Sequence, residues 1–241
     1  MQIIRGFDSL PAIAHPVATV GSYDGVHLGH RVLIEQVIAR AKRRAGQSVV
    51  ITFEPHPRIT LGQAEGLKIL STAEEKALLL EQLGVDFMLI IPFDTAFSRL
   101  SHEQFIADYL IAKLGIEELV VGYNHHFGHN KSGDYGYLAE QSHIEVTQIS
   151  QQLVDSQKVS STVIRQAIES GDMSLATTLL GHTYIIIGSS DSRGAVAVDR
   201  YKLLPPCGVY SAVVDGKKSE VRVEQSEFFC NVKQSKTVIE L

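Results

Sequence analysis

The chain has 241 residues, 44% of them hydrophobic and 20% charged, with a formal net charge of −5. That length holds one large domain or two modest ones, the composition is that of a soluble globular protein, and the negative balance argues against a nucleic-acid partner. Two cysteines, Cys207 and Cys230, leave no disulfide framework or cysteine-based zinc site, and a reducing cytoplasm fits them. The opening Met-Gln-Ile-Ile-Arg-Gly-Phe-Asp lacks a signal-peptide pattern, and the densest apolar stretch, Phe87–Ile91, is too short to span a bilayer, so no membrane partner is expected.

Val17–Val20 reads as a buried strand, and His30–Ala45 as a helix with Leu33, Ile34, Val37, Ile38 and Ala41 on one face and Gly46 as its stop. Between them runs Gly21-Ser22-Tyr23-Asp24-Gly25-Val26-His27-Leu28-Gly29-His30. A strand, a glycine turn and a helix start can receive phosphate, because glycines admit the anion and helix-start N–H groups point at it. His27 and His30 add two side-chain donors there. This is neither a P-loop nor a Gly-x-Gly-x-x-Gly fingerprint. Lys42-Arg43-Arg44 falls where cations complement a helix end, and reads as solvated.

Ser48–Phe53 is the next strand, followed by Phe53-Glu54-Pro55-His56-Pro57-Arg58. The prolines predict an extended path for this loop, beyond the carboxyl end of a strand, where ligands bind in open α/β sheets. A rigid surface turn is the alternative. A helix follows over Thr72–Leu83, with Ser71 and Glu74 in capping-box spacing. Strand Phe87–Ile91 and helix His102–Leu114 come next, the helix with Ser101 and Gln104 spaced as a second capping box. Strand Glu118–Val121 leads into a long loop through Asp134, a candidate lid, before strand Ile144–Ile149. His125, His126 and His129 in that loop invite a metal reading. No carboxylate or cysteine has matching spacing, so no metal site is assigned.

Ser160-Ser161-Thr162-Val163-Ile164-Arg165 opens a helix over Thr162–Ser170, and Met173–Leu180 forms another before Gly181. Serine at an N-cap is ordinary, but Arg165 is not, because the helix dipole disfavours a cation in the first turn. An anion beside Ser161, Thr162 and Arg165 would remove the conflict, and polyphosphate oxygens would serve. The alternation of strand and helix predicts a Rossmann-like parallel sheet with helices on both faces over 1–182.

The pattern then changes. Tyr184–Gly188, Ala195–Asp199, Val209–Val214, Glu220–Glu224, Phe228–Lys233 and Thr237–Leu241 are short strand candidates, and Asp215-Gly216 is a hairpin signal. They predict a small antiparallel barrel or sandwich over 183–241, with a surface open to self-association.

Taken together, these segments resemble the bacterial FAD synthetase family in its FMN adenylyltransferase module. Gly21–His30 matches the family's first motif, and Thr52-Phe53-Glu54-Pro55-His56-Pro57 its second. Val121-Gly122-Tyr123-Asn124 with Phe127-Gly128 matches the third, although His125 stands where the family has an aromatic residue. Ser160–Arg165 matches the fourth, continued by Gly171-Asp172 through Leu180-Gly181. The likeness implies that ATP and FMN are the substrates, with Mg²⁺ carried on the nucleotide. It assigns Gly21, Ser22, Tyr23, Asp24, Gly25, His27, His30, Ser160, Ser161, Thr162 and Arg165 to ATP. Phe53, Pro55, His56, Pro57, Asn124 and Phe127 fall on the flavin side. His27, His30, Asn124 and Arg165 are the implied catalytic set.

Leu204-Pro205-Pro206-Cys207-Gly208-Val209-Tyr210 echoes the family's riboflavin kinase barrel, yet no Pro-Thr-Ala-Asn precedes it. The resemblance therefore implies a shortened, degenerate barrel without kinase activity. Two alternatives stay open: a nucleotidyltransferase with another phosphorylated acceptor, and a non-catalytic flavin or nucleotide sensor.

Overall fold

The computed structural model describes residues 1–62, 66–122, 144–149, 153–154, 157–191, 194–224, 227–230 and 236–241. They form two compact units that interleave in sequence: Met1–Tyr23, Gly29–Gly66 and Leu79–Gln152 in one, and Asp24–Leu28, Leu67–Leu78 and Leu153–Leu241 in the other. The division differs from the consecutive segments 1–182 and 183–241 expected from the pattern change. Its physical reason is a shared core, described below for the second unit.

The first unit carries an all-parallel sheet. Its strands are β1 (Gln2–Arg5), β2 (Val17–Val20), β3 (Ser48–Glu54), β4 (Phe87–Pro92), β5 (Glu118–Gly122) and β6 (Glu145–Ile149), in the order β1-β4-β3-β2-β5-β6. Helix α1 (Leu28–Arg43) follows β2, and α3 (Ala73–Leu83) precedes β4. The sequence pattern misses β1, a four-residue edge strand with one buried position. Period-2 alternation splits the central strands between two faces. Val17 and Val120 pack with Val37 and Ala41 of α1. Ala18, Val20, Leu119 and Val121 face the opposite way, in a core with Phe105, Ile106 and Leu110. The Rossmann-like reading of the sheet holds.

Three local expectations are corrected. The predicted helix His102–Leu114 starts as a short α-helix, α4 (His102–Gln104), with the Ser101–Gln104 capping box in place. It then runs as a π-helix over Phe105–Ile111, in which the Ala112 N–H reaches the Ala107 carbonyl. The Phe53–Arg58 loop does not stay extended: Pro57 opens a short helix, α2 (Pro57–Thr60), at the first-turn position proline favours. Arg44 is not merely solvated, since its Nε donates to Glu118 at 2.9 Å.

The second unit carries the barrel. Helices α5 (Ser161–Glu169) and α6 (Met173–Leu180) precede β9 (Ile185–Ser190), β10 (Ala195–Ala197), β11 (Gly208–Val214), β12 (Lys217–Glu224), β13 (Glu227–Phe229) and β14 (Thr237–Glu240). A two-stranded hairpin, β7 (Leu153–Val154) with β8 (Gln157–Lys158), lies before α5. The six later strands close antiparallel in the order β10-β13-β12-β11-β14-β9, so of the two expected forms the barrel is the one adopted. Val214 pairs with Lys217 across Asp215 and Gly216, whose φ values of +48° and +78° make the predicted tight turn. Ile164, Ala167, Ile168, Leu179 and Leu180 share one core with Ile186, Val214, Val221 and Phe228. The two helices and the barrel thus belong to one unit.

Glu118 anchors the start of β5. Its side chain is 2% exposed and bonds to Arg40 at 2.6 Å, Arg44 at 2.9 Å and Thr147 at 3.0 Å. Burial pushes its carboxyl up, and the two arginines with Thr147 outweigh that and hold it below the ordinary range. Glu118→Gln should lower stability by about 2–3 kcal/mol, because it strips the partner from two arginines in a half-buried network. Glu54→Gln, which breaks an exposed pair with Arg5, should cost under about 1 kcal/mol. Urea unfolding of the two variants checks the contrast.

Candidate functional site

The order of the sheet places its topological switch between β2 and β5, since β3 and β4 build outward on one side of β2 and β5 and β6 on the other. Crevices beyond strand carboxyl ends at such a point are where ligands bind. Gly21, Ser22 and Tyr23 leave β2 there, and Gly122 ends β5.

Within the first unit, Tyr23 is buried and its hydroxyl lies 2.6 Å from Thr19 Oγ1, which itself donates to the Val120 carbonyl at 2.7 Å. The Tyr23 phenol is therefore engaged in the core, and burial raises its pKa. Its ring meets that of His30 edge-on at 5.2 Å. A Cβ on Gly21 would lie 3.0 Å from the Tyr23 ring, so a larger residue there would have to push the ring aside by a few tenths of an ångström. The Ser22 carbonyl accepts from Thr52 Oγ1 at 3.2 Å. Phe53 stands edge-on to Phe93 at 5.3 Å and tilted to Phe97 at 6.1 Å. His56 caps α2, its Nδ1 accepting from the Arg58 N–H at 3.2 Å, with Pro55 before it and Pro57 after.

Within the second unit, Asp24, Gly25 and His27 form a tight knot with three distant segments. Asp24 is buried; its Oδ1 accepts from the N–H groups of Leu70 at 2.8 Å and Ser71 at 2.9 Å, and its Oδ2 from the Arg165 guanidinium. The Asp24 carbonyl accepts from Ser161 Oγ at 3.0 Å. The Gly25 N–H donates to Ser71 Oγ at 2.8 Å, and the Gly25 carbonyl lies 2.9 Å from His182 Nε2. Gly25 has φ +83°, and a Cβ there would meet Leu70 Cδ1 at 2.9 Å. Val26 is held at φ +41°, an unusual place for a β-branched residue. Strain of that kind persists only where the surroundings fix it, and it concentrates at functional sites.

The anomaly at Arg165 is resolved inside the fold. The anion beside it is Asp24, and its Nε donates to the Lys68 carbonyl at 2.8 Å. Ser160 caps α5 by accepting from the Val163 N–H, while the amides of Ser161 and Thr162 at the helix start have no acceptor among the described residues. The expected Ser71–Glu74 capping box is displaced by one residue. Thr72 and Glu75 form the reciprocal pair, at 2.8 and 3.2 Å, and Ser71 is spent on Gly25.

His27 is buried, and burial pushes its imidazole down from 6.5 to about 4. Asp24 and a backbone hydrogen bond oppose the shift; His182 and Arg165 add to it. His27 is therefore neutral near pH 7, with one N–H to donate. Asn124, Phe127, His125, His126 and His129 lie outside the described residues. Among the described residues no group of three or more His, Cys, Asp or Glu is arranged to hold a metal ion, and no helix is long and apolar enough to cross a membrane.

Sequence reasoning missed Ser71, Glu75, His182 and Lys202, which bind this knot together. A signal existed for Lys202, a lone cation in the run Tyr201-Lys202-Leu203-Leu204. None existed for the others, whose partners are far away in sequence.

A family model described as FAD synthetase matches residues 11–163. The chain belongs to the FAD synthetase family. A "Bifunctional riboflavin kinase/FMN adenylyltransferase" of Listeria monocytogenes is 37% identical over 209 residues, covering 81% of this chain and 66% of that protein. The Bacillus subtilis protein of the same name is 32% identical over 241 residues, covering 94% and 74%. That of Escherichia coli is 32% identical, covering 78% and 62%. The chain thus spans about two thirds of the length of these relatives. A crystal structure titled as a macrolide-efflux protein from Streptococcus pneumoniae superposes on the whole chain and 89% of its own, with a TM-score of 0.84 at 22% identity, a likeness of fold alone.

The depressed His27 value carries a sign. A neutral buried histidine binds fewer protons folded than unfolded, so its contribution is complete above pH 6.5 and is lost as pH falls from 6.5 toward about 4. The loss should total about 3 kcal/mol, and His27→Gln should remove that part of the acid-side destabilisation. Urea unfolding at pH 7.5 and 4.5, parent against variant, measures it.

Proposed function

We propose that this chain transfers the adenylyl group of ATP to FMN, giving FAD and pyrophosphate. What carries the reading is the Gly21–His30 turn at the carboxyl end of β2, in a member of the FAD synthetase family. An FMN phosphate oxygen attacks the α-phosphorus of ATP. The bond from that phosphorus to the oxygen bridging to the β-phosphate breaks, and pyrophosphate leaves with the electron pair. Such a transfer needs positioning and charge stabilisation, with no covalent intermediate.

His27 and His30 donate to the α- and β-phosphates. His27 suits this role because its neutral imidazole costs less to bury than an imidazolium, and an arriving polyanion favours its protonated form. Ser161, Thr162 and the first amides of α5 take the outer phosphates, with Ser160 as cap. Arg165 adds its charge from a guanidinium already oriented by Asp24. Gly21, Ser22, Tyr23 and Gly25 contribute through the backbone path of the turn. Phe53, Pro55, His56, Pro57 and Phe127 form the flavin side, and Asn124 orients the phosphates. Mg²⁺ arrives on the nucleotide, with phosphate oxygens and water as its ligands. The reaction places the protein where ATP and FMN are available, in the cytoplasm.

Single His27→Ala and His30→Ala variants should stay folded and lose about a hundred- to thousandfold in turnover, equivalent to about 3–4 kcal/mol for a preorganised donor. Separation of FAD from FMN in the presence of ATP and magnesium reads the rate. Near-parental turnover in both would overturn the assignment.

Riboflavin kinase activity is not part of this proposal. Phosphorylating riboflavin requires a γ-phosphate and metal site beside a base for the ribityl hydroxyl, and no Pro-Thr-Ala-Asn lies between His182 and Tyr210 to build it. With riboflavin, ATP and magnesium the expected product is nil, alongside FAD from FMN. FMN formed at a rate comparable to adenylylation would contradict this.

A further inference from the structure

The segment Lys68–Ser71 supplies both backbone N–H groups to Asp24 and, through Lys68, a carbonyl to Arg165. It is itself held by residues 200–203, next to the barrel strands of the same unit. Ile69 and Lys202 form an isolated parallel bridge, with Ile69 N–H to the Tyr201 carbonyl at 2.7 Å and Leu203 N–H to the Ile69 carbonyl at 2.9 Å. Lys202 then reaches inward. Its side chain is fully buried, and its Nζ donates to the carbonyls of Leu70 and Ile185, each at 2.6 Å, and to Glu75 Oε2 at 2.8 Å. The three protons of an ammonium match these three acceptors. The Tyr184 ring lies 4.1 Å from Nζ and closes the remaining side. Glu75 is equally committed, with Oε1 accepting from the Ile187 N–H at 2.8 Å and Oε2 also from the Thr72 N–H at 2.8 Å.

We propose that Lys202 is a positioning residue for ATP: from the barrel side it fixes the Lys68–Ser71 strap, and the strap fixes Asp24, Gly25 and Arg165. The path is short. The ammonium holds the Leu70 carbonyl, the Leu70 and Ser71 amides hold the Asp24 carboxylate, and Asp24 orients Arg165. A buried ion pair is a weak source of net stability, because desolvation offsets most of its attraction, and apolar residues of similar volume often replace it without loss. What an apolar pair does not supply is a donor aimed at Leu70. The barrel thereby takes part in the adenylyl transfer itself.

This inference rests on the adenylyltransferase reading, and the test separates the two. The double variant Glu75→Gln/Lys202→Met removes both charges together at similar volume. The expected outcome is a folded protein melting within a few degrees of the parent, with the KM for ATP raised at least tenfold and the KM for FMN changed less than twofold. The dissociation constant for ATP alone, measured by calorimetry without FMN, should rise by the same factor. If the parent makes no FAD from FMN, the adenylyltransferase reading fails, while the ATP affinity still decides the role of Lys202. A folded double variant with parental ATP affinity overturns the proposal. Should that variant not fold, Glu75→Gln/Lys202→Leu, which likewise leaves no donor beside the Leu70 carbonyl, is read by the same criteria. Failure of both to fold would also overturn the proposal, because Lys202 would then serve stability alone.

Discussion

The carboxylate of Asp24 is the constraint on which the rest of the second unit is built. A buried carboxylate is costly unless every oxygen finds a donor. Here two amides share one oxygen and a guanidinium takes the other. Those three donors come from two segments far from it in sequence, so both carboxylate oxygens are satisfied only when both segments are in place. The same contacts tie down a turn in which Gly25 and Val26 both have positive φ. Strained backbone needs several independent restraints, and this turn has the Ser71 hydroxyl, the Ser161 hydroxyl and the His182 ring besides the carboxylate. Contacts within the fold alone thus hold the turn in one backbone path.

The electrostatics of the knot also keep His27 in a useful form. A histidine near an aspartate ordinarily gains a proton, but this one is buried and has Arg165 and His182 nearby. Burial outweighs the pull of Asp24, and the imidazole stays neutral near pH 7. Pairing Arg165 with Asp24 satisfies a cation in the first turn of α5, against the helix dipole, while burial is what leaves His27 uncharged.

Much of this was legible from the chain alone. The periodicity of Val17–Val20 and of the helix beginning near His30 bounded the Gly21–His30 turn, and six short strands announced a small antiparallel barrel or sandwich. That Arg165 needs an anion can be read from the chain, because dipole physics is local, and the anion expected there was polyphosphate. That the anion would be Asp24 was not visible, since the pairing joins residues 141 positions apart. Ser71 and Glu74 had capping-box spacing, yet so had Thr72 and Glu75, and tertiary demand on Ser71 and Glu75 chose between them. The π-helix after Gln104 has no pattern of its own, because a 3.6-residue period describes its apolar face almost as well. Strand β1 is too short and too exposed to show alternation. Glu75 lies in the first turn of α3, where an acid is ordinary, and nothing in its neighbourhood betrays a lysine far along the chain.

The compact units do not divide at residue 182, and the reason lies in burial. Pattern recognition separates helix from strand, but burial does not respect that distinction. Ile164, Ile168, Leu179 and Leu180 of α5 and α6 are fully or almost fully buried against Tyr184, Ile186 and Phe228 of the barrel side. Burying a side chain of this size contributes about 1.5–3 kcal/mol, so a few such contacts outweigh the whole margin by which a domain is stable. A chain ended at residue 182 would expose that face. It would also lose the imidazole beside Gly25 from its folded setting and the Lys202 ammonium from Leu70. The barrel is therefore a structural half of the unit that holds the Asp24–Leu28 turn.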